Sequence, residues 1–276
     1  MTEVFKSVGE LTDGYWKLID VRYSLQDAEA GRKAYDAGHI AGAVYWDLGK
    51  DLSDMEAGGG RHPMPSREQL TKLFRRSGLE LDDRILVYDG GGEPFAARAW
   101  WLLRYGGFKN AFILKEGYEG LVQAGYPLEA KEAAPERSEV KPDWQGQLFA
   151  DREDVRDIVE GRKEGVLLDA RAPERYAGKH EPLDPVAGHI PGARNFDWSR
   201  LKAEDGQFDP GEETERAIRE VVGSDEPVTV YCGSGVTAAP LNAMLTHLGQ
   251  KNLRLYVGSY SDWVSDPGAP VETDDM

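Results

Sequence analysis

The chain has a single cysteine, Cys232, among its 276 residues. A lone thiol excludes an internal disulfide and any zinc site built from several cysteines, so no metal is expected. Basic residues are in deficit as well. Lys and Arg number 33 against 49 Asp and Glu, a formal charge of −16. Binding a phosphate backbone needs a basic surface, which argues against nucleic acid as a partner. Acidity on this scale serves solubility first. Long apolar runs are missing too: nothing approaches the ~20 residues that cross a bilayer. The opening Met1-Thr2-Glu3-Val4-Phe5-Lys6 lacks the basic and then apolar blocks of a secretory signal. The expected location is the cytoplasm, with no membrane partner.

What the chain does have is a repeat. Leu18-Ile19-Asp20-Val21-Arg22 is matched by Leu167-Leu168-Asp169-Ala170-Arg171. Gly38-His39-Ile40 is matched by Gly188-His189-Ile190, and Val87-Tyr88-Asp89-Gly90 by Val230-Tyr231-Cys232-Gly233. From Asp20 to Asp169 the spacing is 149 residues, from His39 to His189 it is 150, and from Asp89 to Cys232 it is 143. Three blocks in one order at nearly one spacing mark a tandem duplication. Each half alternates short apolar runs with helical stretches, which predicts an α/β fold with a mainly parallel sheet flanked by helices. In the second half, strands are expected at 166–168, 228–231 and 253–257. Asp151 is expected to cap a helix through about Glu160, closed by Gly161. A second helix is expected from Val236 to Leu248, ended by Gly249, with Pro240 tolerated in its first turns. The predicted organisation is an N-terminal domain over 1–128, a connector over 129–147 and a C-terminal domain over 148–276. The connector is polar with two prolines and reads as extended and exposed.

The segment Cys232-Gly233-Ser234-Gly235-Val236-Thr237 lies between a predicted strand and a predicted helix. Ligands of open α/β sheets bind at the carboxyl ends of strands. Gly233 and Gly235 let the backbone curl so that N–H groups, those of Val236 and Thr237 included, face one centre. The helix start adds its positive end. A sulfur held there is favoured as thiolate, its nucleophilic form. An inert cysteine needs none of this.

At this loop the sequence resembles the rhodanese superfamily of sulfurtransferases in its tandem-domain form, over almost the whole chain. The loop itself is similar to that of the 3-mercaptopyruvate sulfurtransferases; the animal thiosulfate enzymes carry basic residues where Gly233 and Ser234 stand. The resemblance implies two rhodanese-like domains, the second catalytic, with a cleft between them. Asp89 stands at the position of the cysteine in the first, which therefore cannot form a persulfide. It implies a small anionic donor, thiosulfate or 3-mercaptopyruvate, a persulfide on Cys232, and a cyanide, thiol or protein acceptor, without any cofactor. Arg175 matches a family arginine that grips the donor's anionic group. Mercaptopyruvate enzymes carry a second arginine after a Glu-Pro pair, whereas here Glu181-Pro182 is followed by Leu183. Arg61 is a candidate to supply that charge from the first domain. Ser234 and His62 match residues of a proposed proton relay, but Gly49 stands where its aspartate is expected. Thr237 is expected to cap the following helix. His39, His189, Arg22 and Arg171 recur in both halves, which points to folding roles.

Three other readings stand beside this one. A cysteine phosphatase needs an arginine six positions after the cysteine, where this chain has Ala238. A non-catalytic binding or redox-sensing module has no need to retain the intact loop. A dedicated persulfide carrier would use the same loop, and the sequence leaves it open.

Overall fold

The structure, a computed structural model, describes residues 2–11 and 14–274. The strands run β1 (Phe5–Lys6), β2 (Lys17–Asp20), β3 (His39–Ile40), β4 (Val44–Tyr45), β5 (Ile85–Tyr88), β6 (Ala111–Leu114) and β7 (Leu128–Glu129) in the first half. The second half contains β8 (Phe149–Ala150), β9 (Val166–Asp169), β10 (Arg194–Asn195), β11 (Val228–Tyr231) and β12 (Leu253–Tyr256). Each half forms a parallel five-stranded sheet, in the order β4-β2-β5-β6-β1 and β10-β9-β11-β12-β8. Position for position the two orders are the same. The register agrees as well: Asp20 lies opposite Tyr88 and Asp169 opposite Tyr231. The central strands β5 and β11 are buried along their whole length, as expected for a sheet covered on both faces.

The Gly-His-Ile repeats close each half. His39 pairs with Glu129 across β3 and β7, and His189 bridges to Glu272. Each imidazole stacks on a tyrosine, Tyr35 or Tyr176, and its Nδ1 lies 2.8 Å from that residue's carbonyl. Arg22 and Arg171 chelate Asp20 and Asp169 two residues earlier and bond the carbonyls of Gly38 and Gly188. These duplicated residues tie each half to itself.

Helix Arg152–Val159 is capped by Asp151, which accepts the N–H of Asp154 at 2.9 Å, and Gly161 follows at φ +70°. Helix Ala238–His247 begins two residues later than expected, because residues 233–237 are used in the loop around Cys232. Its residues 238–245 are all buried. A helix apolar all round must be covered all round. It packs against helix Phe95–Tyr105 of the first half, and Trp100 and Leu103 share one core with Leu241 and Met244.

The connector is not wholly exposed. Ser138 and Val140 are buried, Ser138 Oγ donates to the Leu79 carbonyl at 2.7 Å, and Arg75 Nε donates to Val140 O. These bonds bind the strap to the first half. No helix among the described residues is long and apolar enough to cross a membrane.

Candidate active site

Strand β11 delivers Cys232 to the carboxyl end of the second sheet, between the two halves. The thiol is 1% exposed. Its backbone N–H donates to Ser259 Oγ at 3.1 Å, and that hydroxyl donates to the Tyr256 carbonyl at 2.9 Å. The carbonyls of Cys232 and Gly233 accept the N–H groups of Tyr260 and Ser261, each at 2.9 Å. The floor of the loop is therefore fixed before any ligand arrives.

The first half shows what is generic in this arrangement. There the Asp89 carbonyl accepts the N–H of Tyr118, and Gly117 takes the left-handed position at φ +61°. In the second half that position is Ser259, left-handed at φ +56°. A serine tolerates that backbone poorly, and what it gains is the hydroxyl on Cys232. Asp89 fills its own cradle: its carboxylate accepts the N–H groups of Gly91 and Ala96, each at 2.9 Å. Burial pushes its carboxyl up to about 7.

In the Cys232 loop the Gly235 N–H donates to Cys232 Sγ at 3.1 Å. Gly235 has φ +75°, and a Cβ there would strike the Val257 carbonyl. Among the described residues, Gly235 supplies the loop N–H that reaches Sγ. Val236 is buried in the core. Thr237 precedes the helix but does not cap it through its hydroxyl, because it is already helical at φ −76°, ψ −9°, whereas a side-chain cap needs an extended residue.

Ser234 meets His62 from the first half, its Oγ 2.9 Å from Nδ1. Burial, with Arg98 and Arg61 adding repulsion, holds His62 down to about 4, so it is neutral near pH 7. The candidate aspartate is indeed absent at Gly49. The nearby Asp47 is turned to the N–H groups of Gly49 and Lys50.

The depressed His62 sets a pH dependence. Unfolded, this histidine binds its proton near pH 6.5; folded, only near pH 4. Stability is therefore complete above about 6.5 and falls as pH drops toward 4, by up to roughly 3 kcal/mol. His62→Gln should lose less melting temperature than the parent between pH 7 and pH 4.5. Parallel losses in a pH series of thermal melts would refute the assignment.

Two guanidinium groups lie over Gly233. A Cβ there would stand 2.8 Å from Arg61 Nη2 and 3.3 Å from Arg175 Nη2. Arg175 is held by Glu181, through Nε at 3.0 Å and Nη2 at 2.7 Å, and by Asp184 at 3.2 Å. Arg61 pairs with the other Asp184 oxygen, and its N–H bonds Ser261 Oγ. Asp184, its side chain 2% exposed, thus bridges the two arginines. Leu183 points to solvent.

The sequence reading missed Asp184, Ser259 and Arg98. A signal existed for the first. The stacked Tyr and His are four residues apart in the first half and thirteen in the second, and Glu181 and Asp184 sit in that insertion. Ser259 was visible as the serine aligned with Gly117. Arg98 gave no signal.

The model of the rhodanese-like domain matches residues 7–124 and again 151–266. A putative thiosulfate sulfurtransferase, SseB of Mycobacterium tuberculosis, is 41% identical over 92% of this chain and 89% of its own. A probable 3-mercaptopyruvate sulfurtransferase of Pseudomonas aeruginosa is 38% identical over 94% and 92%. The crystal structure of SseA from Escherichia coli, described as a 3-mercaptopyruvate sulfotransferase, superposes with a TM-score of 0.79 at 29% identity, over 94% of this chain and all of that one. With a duplicated parallel sheet, a cysteine cradle in one half and an aspartate in its place in the other, the chain belongs to the rhodanese family as a tandem of two rhodanese-like domains.

Proposed function

We propose that the protein is a sulfurtransferase that loads sulfur onto Cys232 from a small anionic donor, with 3-mercaptopyruvate preferred over thiosulfate, and passes it to a thiol, cyanide or protein acceptor. The observation that carries this reading is the sulfur of Cys232 on the Gly235 N–H, with Arg61 and Arg175 both beside Gly233. The anionic head of the donor engages the guanidinium pair, and the Cys232 thiolate attacks the donor's outer sulfur. From thiosulfate the S–S bond breaks and sulfite leaves, with no proton to move. From 3-mercaptopyruvate the C–S bond breaks, the ketone stabilises the carbanion as an enolate, and the donor's own thiol proton ends on the methyl group of pyruvate. Either way Cys232 becomes a persulfide anion.

The preference for mercaptopyruvate rests on two contacts. Arg61 stands where a second arginine is needed although Leu183 leaves its usual place vacant. The neutral His62 against the Ser234 hydroxyl forms a pair able to pass a proton, which only the carbon–sulfur cleavage requires. Thiocyanate formation from each donor at matched concentrations is the test. A kcat/KM at least tenfold higher for mercaptopyruvate, about 1.4 kcal/mol of transition-state preference, supports the assignment; a thiosulfate preference overturns it.

Asp184 competes with the donor for both arginines. Burial pushes its carboxyl up, opposed first by Arg61, yet as a carboxylate it occupies guanidinium donors that the donor's head would use. Asp184→Asn is expected to lower KM several-fold for both donors with kcat little changed. A raised KM would mean that Asp184 chiefly orients the arginines.

A further inference from the structure

Arg98 is the anomaly of the molecule. It lies on helix Phe95–Tyr105 of the first half and is 0% exposed. The other buried arginine, Arg171, and its half-buried counterpart Arg22 each chelate an aspartate. Arg98 forms no such pair with any described carboxylate. Its Nη2 donates to the carbonyls of Leu52 at 3.0 Å and His62 at 3.4 Å, and its Nη1 crosses to the Gly235 carbonyl at 3.3 Å. Its Nε has no partner. Burying a cation this way costs several kcal/mol unless a charge answers it. Burial pulls Arg98 down to about 10, and the charge that opposes this is Cys232.

Gly235 joins the two: its N–H is on Sγ and its carbonyl is on Arg98. The duplication sharpens the point. By the 143-residue spacing of Asp89 and Cys232, the second-half counterpart of Arg98 is Leu241, also buried. The fold thus accommodates an apolar side chain at this helix position, and the cation appears only on the helix facing the cysteine loop. An interdomain clamp could be made with neutral donors.

We propose that Arg98 is a positioning residue for sulfur transfer, the buried counter-charge that keeps the Cys232 sulfur anionic and holds Gly235 against it. This rests on the persulfide reading, but its test does not. The other charged groups around the loop are already matched: Arg61 and Arg175 by Asp184 and Glu181, with His62 neutral. Arg98 alone is left to answer the sulfur, whether thiolate or persulfide. It also ties the His62 segment to the loop.

Because Cys232 is the only cysteine, its alkylation by iodoacetamide can be followed without ambiguity across pH in the full chain. In Arg98→Met and Arg98→Gln the midpoint of that profile should rise by about one pH unit, roughly tenfold slower alkylation on its acidic limb, while Arg98→Lys stays near the parent. Arg98→Gln retains donors for the carbonyls and serves if Arg98→Met does not fold. A folded neutral variant with the parental profile, or a lysine variant shifted as far as the neutral ones, overturns the proposal. Were the protein unable to take sulfur from either donor, the alkylation profiles would still read Arg98, so the two failures are distinguishable.

Discussion

Cys232→Ser is expected to abolish sulfur transfer from both donors, a fall of at least about a thousandfold in kcat/KM, or ~4 kcal/mol of transition-state stabilisation. The loss follows from chemistry rather than folding. A serine oxygen can still accept the Gly235 N–H, and the backbone bonds from Ser259, Tyr260 and Ser261 do not involve the side chain. The chain should therefore stay folded, since no cavity is created, with its melting temperature lowered only by loss of the sulfur's charge beside Arg98. What disappears is the group that can share electrons with a second sulfur. Two measurements check this: thiocyanate formation, and intact mass after incubation with donor, where the parent gains one sulfur atom and the variant none. Residual turnover with a sulfur adduct would require a second carrier, and the chain contains no other cysteine. Residual turnover without an adduct would remove the covalent intermediate from the mechanism.

The duplication made most of the fold legible. Asp20 and Asp169, His39 and His189, and Asp89 and Cys232 recur in order because each pair occupies the same place in the same sheet. The aspartate at the position matching Cys232 could be read directly as absence of a thiol from the first half. That it fills the cradle with its own carboxylate could not, because this depends on the N–H groups of Gly91 and Ala96 converging on it. Local patterns also failed at Thr237, where residue type suggested a cap but the backbone had already turned helical around the sulfur. The largest omissions, Arg98 and Asp184, act across contacts far apart in sequence. Arg98 sits in an apolar run, Phe95-Ala96-Ala97-Arg98-Ala99-Trp100, and nothing in those neighbours says what it faces. Only the packing of that helix against the second half shows it wholly buried and facing the cysteine loop. The division between what was read and what was missed follows from this: repeats and caps are written in neighbouring residues, whereas electrostatic complementarity between domains is not.

The two glycines of the loop are expected to respond to the same substitution in opposite ways. Gly235→Ala places a Cβ against the Val257 carbonyl, a backbone atom that cannot step aside, at a residue held at φ +75°. Left-handed strain alone costs an alanine roughly 1–2 kcal/mol, and relieving the clash must move either the loop or β12. A total loss near 2–4 kcal/mol is expected. Activity should fall at least a hundredfold, because the same displacement takes the N–H off Sγ and the carbonyl off Arg98. Gly233→Ala meets only the ends of Arg61 and Arg175. Those side chains can rotate away, so the fold should persist with its melting temperature nearly unchanged. The change appears in KM, which should rise several-fold for an anionic donor as the guanidinium pair is pushed aside. Thermal melts and donor kinetics on both variants separate the cases. If Gly235→Ala were as stable and active as the parent, the cradle would not be a rigid element. If instead Gly233→Ala left KM untouched, the arginines above it would not be the donor's anchor.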